Sequence, residues 1–350
     1  MKPPKNRGPR RTTVQRPFLA LTTGDPAGIG PTVSALGAAS PDLRHRCRPL
    51  LVGNAWVLTH FCRLPSLKIN PIADLSDYRD APGVVNVLHV PHPAISSLVP
   101  GRPQKIAGES AVLSLRTAAA LALRGQVCGV VTGPVSKESF KAAGVPFPGH
   151  TELLAALCGA PRVEMLLAAG PLKTLLLTRH IPLKDVPGRI TTETIVSAVS
   201  FTDGRWRKMS AGRRLRWGVC GLNPHAGDNG LLGAEEKRAV VPAVKRLRRR
   251  GLPVEGPFSA DAVWAKHAAG AFDIVLSLYH DQGMIPLKTL YPNAVVNITV
   301  GLPWVRTSPG HGTAFDLARR SPPFKNADPS ATLAAARWAL ALSQKHPPLF

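Results

Sequence analysis

From residue 18 onward, short apolar runs alternate with longer stretches in which apolar residues recur at helical spacing. Continuous apolar runs of this length are typical of strands that are buried on both faces of a parallel sheet. Strands that alternate with helices indicate βαβ units. The pattern predicts strands at 18–22, 49–52, 84–89, 127–132, 174–178, 216–222, 273–278 and 295–300. The predicted helices include 108–124, 151–158, 191–201 and 234–250, and the proline-rich segment 65–103 is expected to be mostly loop.

The overall composition is that of a folded chain with many turns. Its 350 residues are enough for two domains, and its 31 glycines and 35 prolines stay below the range typical of disorder. Five scattered cysteines without a C-x-x-C pair argue against a disulfide scaffold and a zinc finger, and they fit a cytoplasmic protein. No apolar run reaches the ~18 residues of a membrane-spanning helix, so no membrane partner is expected.

The charge is strongly unbalanced, with 44 Lys and Arg against 21 Asp and Glu and a formal net charge of +23. Such an excess favours anionic partners, which range from nucleic acid to phosphorylated small molecules. The basic residues concentrate in segments 1–17, 205–216 and 245–250, without the interleaved aromatic residues of single-strand binders. We therefore expect solvated basic faces and no specific nucleic-acid binding. Segment 1–17 has six cations, four prolines and no acid, so it is predicted to be a basic disordered tail. It is not expected to be a signal peptide, because the apolar stretch 18–21 is too short.

Three of the predicted strands are each followed by a histidine, namely His180, His225 and His280. In an open α/β sheet, ligands bind in the crevice at the carboxyl ends of the strands. Three imidazoles that meet there would suit a divalent metal ion with open positions for a substrate. The residues alone leave a second interpretation open, in which each histidine only hydrogen-bonds to nearby backbone. Asp281, directly after His280, would either relay a proton or solvate its loop.

Two other segments have ordinary local explanations. The glycine-rich turn 24–30 follows the first strand, but its spacing is not that of a dinucleotide fingerprint. Thr151 is predicted to cap a helix and to leave His150 just outside it.

The polar residues of the C-terminal half are also open to two interpretations. Glu235 and Glu236 are expected to be acids in the first turn of a helix, where they complement its dipole. Lys288, Asn297 and Arg306 surround one predicted strand. Lys and Arg side chains commonly hold phosphate and carboxylate groups, although a chain with this many cations makes any single one weak support.

Six segments give the chain a recognisable signature. They are GDPAGIGP at 24–31, TGPVSK at 132–137, GHTELLA at 149–155, LNPHAG at 222–227, YHDQGMIPLK at 279–288 and VNITVGLPWVRTS at 296–308. In this order, they resemble the 4-hydroxythreonine-4-phosphate dehydrogenases of vitamin B6 biosynthesis. The resemblance covers about residues 18–340.

The resemblance implies an α/β fold like that of isocitrate and isopropylmalate dehydrogenases, with two α/β/α domains around a cleft. Residues 18–140 plus 314–350 would form the first lobe, and residues 141–313 would form the second. It also implies a homodimer whose active site is shared between the subunits.

The resemblance assigns roles to particular residues. The metal ligands would be His180, His225 and His280, and the ion would be Zn, Mg, Co or Mn. The cofactor would be NAD or NADP. Asp281 and Lys288 are candidates for moving protons. The residues that would bind a phosphorylated substrate are His150, Thr151, Lys288, Asn297 and Arg306.

The implied reaction is the NAD-dependent oxidation and decarboxylation of 4-phosphohydroxy-L-threonine to 3-amino-2-oxopropyl phosphate, a step toward pyridoxine 5'-phosphate. Dehydrogenases on the same scaffold act on threonate or erythronate phosphate, or on aromatic cis-dihydrodiols, and these substrates are the first alternative. A metal-dependent hydrolase in which the histidines activate water is a more distant one. A protein that binds nucleic acid through its basic surface is a third.

The chain departs from the family pattern at three positions. Thr32 stands where the family usually has Glu, Arg179 where it has Thr, and Gly310 where it has Asp. If the missing acid normally recognises the substrate amine, this protein is expected to discriminate poorly between an amino acid substrate and its hydroxy analogue.

Overall fold

A computed structural model describes residues 16–62, 64–320 and 327–344. The predicted basic tail 1–17 therefore lies outside the described residues, except for its last two positions. The strands, in chain order, are β1 Phe18–Thr22, β2 Arg48–Gly53, β3 Lys68–Ile72, β4 Val84–His89, β5 Gly129–Thr132, β6 Glu164–Ala169, β7 Leu172–Leu176, β8 Trp217–Cys220, β9 Val254–Phe258, β10 Ile274–Ser277, β11 Val296–Val300 and β12 Val305–Pro309.

These twelve strands form one sheet in the order β3-β4-β2-β1-β5-β12-β11-β6-β7-β10-β8-β9. The six strands from β3 to β12 run parallel to one another, and so do the four from β7 to β9. Only the pairings β12–β11, β11–β6 and β6–β7 are antiparallel. The prediction of a mainly parallel sheet is therefore confirmed for the described residues.

Helices cover both faces of this sheet. They are α1 Gly30–Ala39, α2 Pro41–Arg46, α3 Ala55–Val57, α4 Lys105–Leu123, α5 Lys137–Ala142, α6 His150–Leu157, α7 Val186–Arg189, α8 Thr192–Met209, α9 Val241–Arg249, α10 Ala260–Ala268, α11 His280–Leu290, α12 Phe315–Arg320 and α13 Ser330–Ser343. The apolar residues of α1, α8, α9 and α13 pack on one face, in the largest hydrophobic cluster. The opposite face is covered by α4 beside β1 and by α10 and α11 beside β7 and β10.

Strand β1 shows why these strands appear as unbroken apolar runs. Leu19 and Leu21 pack on one face of the sheet, whereas Phe18 and Ala20 pack on the other. Successive side chains of a strand point to opposite faces, so a strand covered on both sides needs apolar residues at every position. Complete burial of one such leucine is worth about 1.5–3 kcal/mol.

The sequence pattern missed four strands, which are β3, β6, β9 and β12. Strand β3 lies at the edge of the sheet and contains Pro71, which an edge strand tolerates because it needs fewer ladder hydrogen bonds. Strand β12 is fully buried although it includes Arg306 and Pro309. Strand β3 also lies inside the segment 65–103, which was expected to be mostly loop.

The sheet continues across the boundary expected between the lobes. Strand β12, which was expected in the second lobe, pairs in parallel with β5 of the first lobe. Helix α13 packs against both β12 and β5. The polar residues of β12 therefore lie beside those of β5.

Helix α4 is the one helix among the described residues that is long and apolar enough to span a membrane by length and composition alone. More than half of it, 56%, is buried. It packs against β1, β2 and α5, as a core helix does.

Candidate active site

The three predicted metal ligands follow three neighbouring strands. Strands β7, β10 and β8 are adjacent and parallel, so their carboxyl ends meet at the same edge of the sheet. His180 follows β7, and His280 begins α11 after β10. The centroids of these two imidazole rings lie 5.5 Å apart, with the ring planes inclined by 46°. The structure thus brings two of the three histidines into contact.

The chemistry of this pair suits a divalent metal ion. Two rings at this separation can both direct a nitrogen toward one ion, because zinc–nitrogen bonds measure about 2.0–2.1 Å. The Nδ1 atom of His280 lies 2.7 Å from Oδ1 of Asp281, an arrangement that orients the ring and leaves Nε2 for a ligand bond. Burial, followed by the charges of Lys137 and His280, lowers the pKa of His180 and so favours the neutral imidazole that binds metal.

His225 belongs to a separate segment. It begins a run of five residues, 225–229, that all have positive φ between 40° and 78°. The described residues contain no group of three or more His, Cys, Asp or Glu that could hold a metal ion. His225 therefore does not complete the pair formed by His180 and His280 within the described part of one chain.

The buried carboxylate of Glu236 supports the turn that carries His225. Its Oε1 accepts the backbone N–H groups of Leu222 and Asn223, both at 2.8 Å, and its Oε2 accepts Nδ2 of Asn223 at 3.0 Å. Glu236 is only 3% exposed. Glu236 is an acid in a first helical turn, as expected, but its carboxylate also binds backbone thirteen and fourteen residues earlier in the chain.

A second cluster surrounds Arg306 of β12, which is completely buried. Its Nε and Nη2 donate to Oγ1 of Thr132 at 3.1 and 2.7 Å. Its Nη1 donates to Oγ1 of Thr299 at 2.7 Å and to Oγ1 of Thr151 at 3.3 Å. No carboxylate of the described residues forms an ion pair with it, and burial lowers its pKa to about 9.

His150 and Thr151 lie against this guanidinium, but Thr151 does not cap the helix as the sequence predicted. Helix α6 begins at His150, its N-cap residue is Gly149, and no side chain caps it. The predicted cap at Thr151 is wrong, because the Thr151 hydroxyl accepts from Arg306 instead. Burial and the positive charge of Arg306 keep the pKa of His150 well below its usual range, so this imidazole is neutral.

Asn297 lies on the same face of the sheet as Arg306. Thr299 is the register partner of Arg306, and Asn297 precedes Thr299 by two positions in the same strand. The Oδ1 atom of Asn297 is buried and has no hydrogen-bond partner among the described residues. An acceptor left in this state requires a donor, such as a substrate amine or hydroxyl.

Lys288 is the candidate residue with the weakest structural connection to the others. It is exposed on α11, whose buried residue Leu287 packs with Leu167 on the face that Asn297 shares. No hydrogen bond or ion pair joins Lys288 to the other candidate residues in the described part of the chain.

Sequence reasoning missed the residues that hold these side chains. Thr132 and Thr299 are the main partners of Arg306, and Lys137 acts electrostatically on His180. Thr132 and Lys137 both lie in the TGPVSK segment that contributes to the family resemblance, so that motif was a usable signal. Nothing local distinguishes Thr299.

Two of the departures from the family pattern have structural consequences. Arg179 forms an ion pair with Glu164 of β6. A Cβ atom on Gly310 would lie 2.8 Å from Cγ1 and 2.9 Å from the carbonyl oxygen of Val295. An acid therefore does not fit at Gly310 without a shift of the backbone, so a Gly310→Asp variant would confound strain with recognition.

A cavity of about 340 Å³ lies beside Gly310. It is lined by Ile29, the residue before α1, and by Asp328 and Ala331 at the start of α13. His311 also lines it, and the Nε2 atom of His311 is buried without a hydrogen-bond partner. The N-termini of α1 and α13 lie beside this cavity, and a helix N-terminus favours an anionic ligand. At α13 the carboxylate of Asp328 already accepts the N–H of Ser330 at 2.9 Å, so α1 is the end that remains open to a ligand.

Together the fold and these clusters define an α/β enzyme that combines imidazoles with a buried guanidinium. The chain belongs to the family described as pyridoxal phosphate biosynthetic protein PdxA, whose family model matches residues 45–339. The 4-hydroxythreonine-4-phosphate dehydrogenase of Trichlorobacter lovleyi is 37% identical over 309 residues, covering 87% of this chain and 92% of that protein. The D-threonate 4-phosphate dehydrogenase of Cupriavidus necator is 40% identical over 311 residues, covering 86% and 91%.

A solved structure agrees with this assignment. The 4-hydroxythreonine-4-phosphate dehydrogenase of Klebsiella pneumoniae superposes with a TM-score of 0.84 at 38% identity, covering 94% of this chain and 100% of that one. The predicted family and α/β fold are therefore confirmed. The dehydrogenase relatives also make this chain an oxidoreductase rather than a hydrolase.

Proposed function

We propose that this protein catalyses the NAD-dependent oxidation and decarboxylation of 4-phosphohydroxy-L-threonine to 3-amino-2-oxopropyl phosphate. The observation that carries the proposal is the buried Arg306, which forms no ion pair with a carboxylate of the described residues, beside the unpaired acceptor of Asn297, in a chain of this family. A buried unpaired guanidinium is costly, and an anionic substrate would compensate its charge. Asn297 Oδ1 would accept from the substrate amine or hydroxyl.

Arg306 has no exposed surface in this conformation. A substrate anion would reach its guanidinium only after Thr151 or His150 moves aside. Both residues lie in the first turn of α6, so a small shift of this helix is the simplest way to open the site. The neutral His150 would then be free to donate or accept one hydrogen bond to the substrate.

The metal would be held by His180 and His280, with His225 supplied by a second copy of the chain. When bound, a divalent ion acidifies a coordinated hydroxyl and stabilises negative charge that develops beside it. Asp281 is proposed to fix the ring orientation of His280. Lys288 remains the candidate for moving a proton, because its ammonium has no ion-pair partner in the described part of the chain.

The cavity beside His311 is proposed to hold part of NAD or NADP. Its volume of about 340 Å³, the helix N-terminus of α1 and the unpaired Nε2 of His311 support this placement. The cofactor supplies the hydride acceptor. The five cysteines are all free, which supports a cytoplasmic setting.

The second candidate substrate is D-threonate 4-phosphate, because a relative with that activity in its name is 40% identical to this chain. Turnover measured with NAD and NADP on both phosphates and on an aromatic cis-dihydrodiol would separate these substrates. We expect the amino acid substrate to give the highest kcat/KM, and a chelator to abolish turnover until a divalent ion is restored. Absence of cofactor reduction with every substrate would refute the proposed reaction.

The predicted ligands are tested in the same assay. His180→Ala and His280→Ala are expected to lose activity and bound metal while they keep the unfolding temperature close to that of the natural protein. An unfolded variant would favour a purely structural histidine instead. His60→Ala, at an exposed histidine outside these clusters, is the matched control.

A further inference from the structure

A second cavity, of about 360 Å³, lies apart from both clusters and from the proposed cofactor cavity. Its walls come from the end of α8, the loop between β11 and β12, and the end of α13. None of the residues predicted for metal or substrate lines it. We call it the α8–α13 cavity and define it by Arg205, Lys208, Leu302, Trp304 and Leu342.

The charged groups of the α8–α13 cavity are all positive. Arg205 and Lys208 line it, and no Asp or Glu is among the lining residues. Within the described chain, neither cation forms an ion pair with a carboxylate. The C-termini of α8 and α13 each carry a partial negative charge equivalent to about half an electron, and the two full positive charges outweigh their sum. The cavity therefore attracts an anion.

The rest of the lining is mostly apolar. Leu302 and Leu342 are buried, and the half-buried Trp304 adds an aromatic surface. Small-molecule sites typically measure about 300–1,000 Å³ and combine apolar walls with a few polar anchors. Both the size and the lining of this cavity fit that description.

The cavity is also joined to the substrate cluster through β12. Val305 lines it, and Arg306 is the next residue of the same strand. Consecutive strand residues face opposite sides of the sheet, so the side chain of Val305 points away from the guanidinium, and Arg306 is not among the residues that line the cavity. The two sites are therefore distinct.

We propose that the α8–α13 cavity binds a small organic anion with an aromatic ring, such as an aromatic carboxylate, sulfonate or phosphate. The guanidinium of Arg205 offers two parallel N–H donors to such a head group, and Lys208 adds a point charge. The ring of the ligand packs against Trp304 and Leu342. This site does not depend on the proposed reaction.

Two probes test the proposal on the full chain. The aromatic sulfonate 1-anilinonaphthalene-8-sulfonate reports its own binding by fluorescence, and pyridoxine 5'-phosphate displaces it if an aromatic phosphate shares the site. Arg205→Gln and Lys208→Gln are each expected to weaken the binding of both probes by about ten-fold or more, since a bond to a charged group is worth roughly 1.5–3 kcal/mol. Arg207→Gln is the matched control, because Arg207 is exposed on the same turn of α8 but does not line the cavity.

Three results would overturn the proposal. The first is that the sulfonate shows no saturable binding fluorescence with the folded protein, or that Arg207→Gln loses as much affinity as Arg205→Gln and Lys208→Gln. The second is displacement of the sulfonate by NAD or by the phosphorylated substrate, which would place the probe in the active cleft. The third is binding of inorganic phosphate as tight as that of pyridoxine 5'-phosphate, which would mark a general anion site without a ring pocket. Trp304→Leu removes the aromatic wall, so it is expected to weaken the binding of pyridoxine 5'-phosphate and to leave the binding of inorganic phosphate unchanged.

Discussion

At the residue scale, Arg306 combines a buried hydrogen-bond network with its proposed role in binding the substrate. A guanidinium has five N–H donors, and four of them are donated here to threonine hydroxyls. These neutral acceptors satisfy the hydrogen bonds without an ion pair, and the nearby charge of Glu152 offsets only part of the cost of burying the guanidinium. Burial depresses the pKa to about 9, which still leaves the group protonated at neutral pH. Such a residue is prepared to receive an anion.

Arg306→Lys keeps the positive charge and removes the planar fork. One ammonium group cannot reach Thr132, Thr299 and Thr151 together, so we expect KM for the phosphorylated substrate to rise by about ten- to a hundred-fold, from a loss of roughly 1.5–3 kcal/mol. Steady-state kinetics beside a thermal melt checks this expectation. An unchanged KM and kcat in a folded variant would exclude a substrate role for Arg306.

His267 is a buried residue that bears on the stability of the fold. It is 4% exposed, its Nδ1 lies 3.0 Å from the carbonyl oxygen of Phe272, and its Nε2 accepts the N–H of Lys173 at 2.9 Å. These bonds require the neutral ring, and burial lowers its pKa from 6.5 to about 4. Protonation therefore favours the unfolded chain, so stability is retained above pH 6.5 and is lost as the pH falls toward 4.

We expect the free energy of unfolding to fall by about 2–3 kcal/mol between pH 7 and pH 4.5 through His267, at 1.36 kcal/mol per pKa unit. Urea unfolding of the natural protein and of His267→Gln at both pH values isolates this contribution from other titrating groups. If both proteins lose the same stability on acidification, His267 is not the cause.

At the scale of one element, the turn 225–229 stands out. Left-handed backbone costs L-residues roughly 1–2 kcal/mol each, and four of the five residues here are not glycine. Glu236 offsets part of that cost through its bonds to Leu222 and Asn223. The turn fixes where His225 is presented, so Glu236 acts on the proposed metal site as a positioning residue.

Glu236→Gln replaces one acceptor oxygen with an amide that cannot accept. We expect metal affinity to fall by about ten- to a hundred-fold, as is typical when the support of a ligand is lost. Calorimetric titration of the purified protein with Zn²⁺ measures the effect. Glu235→Gln is the control, because the Glu235 carboxylate bonds the side chain of Asn223 but not the backbone N–H groups of Leu222 and Asn223 that Glu236 accepts. Equal losses in both variants, or none in Glu236→Gln, would contradict the positioning role.

At the scale of the whole molecule, the proposed metal site is incomplete within the described residues of one chain. His180 and His280 are in contact, whereas His225 is not grouped with them among the described residues. A closed dimer would complete the three-histidine site, because in a two-fold assembly each chain can supply the residue that the other lacks. This interpretation predicts that inactive variants will complement each other.

Mixing His225→Ala with His280→Ala and allowing subunits to exchange is expected to restore about a quarter of the natural activity. When subunits associate at random, half of the dimers contain one subunit of each variant. Each of these mixed dimers has one intact site and one site that carries both substitutions. Each variant alone should be inactive. If the mixture stays inactive although mass spectrometry shows mixed dimers, each site is built from one chain.

The sequence predicted best the strands whose two faces are both covered by apolar side chains. The predicted strands 18–22 and 84–89 coincide with β1 and β4, because strands covered on both faces need apolar residues throughout. Strand β12 was missed because its arginine and proline look like loop residues. Only the threonines of neighbouring elements make a buried arginine acceptable there.

The sequence by itself determined the family, the mainly parallel α/β sheet and the identity of the candidate residues, because periodicity and motifs are local properties of the chain. The tertiary structure decided which of those residues meet. The bond between Arg306 and Thr132 joins residues 174 positions apart, and it exists only because β12 and β5 are neighbours in the sheet. For the same reason, strand order brings His180 against His280, and the carboxylate of Glu236 reaches the start of the turn that carries His225. Contacts of this kind follow from the order of strands, which no local pattern encodes.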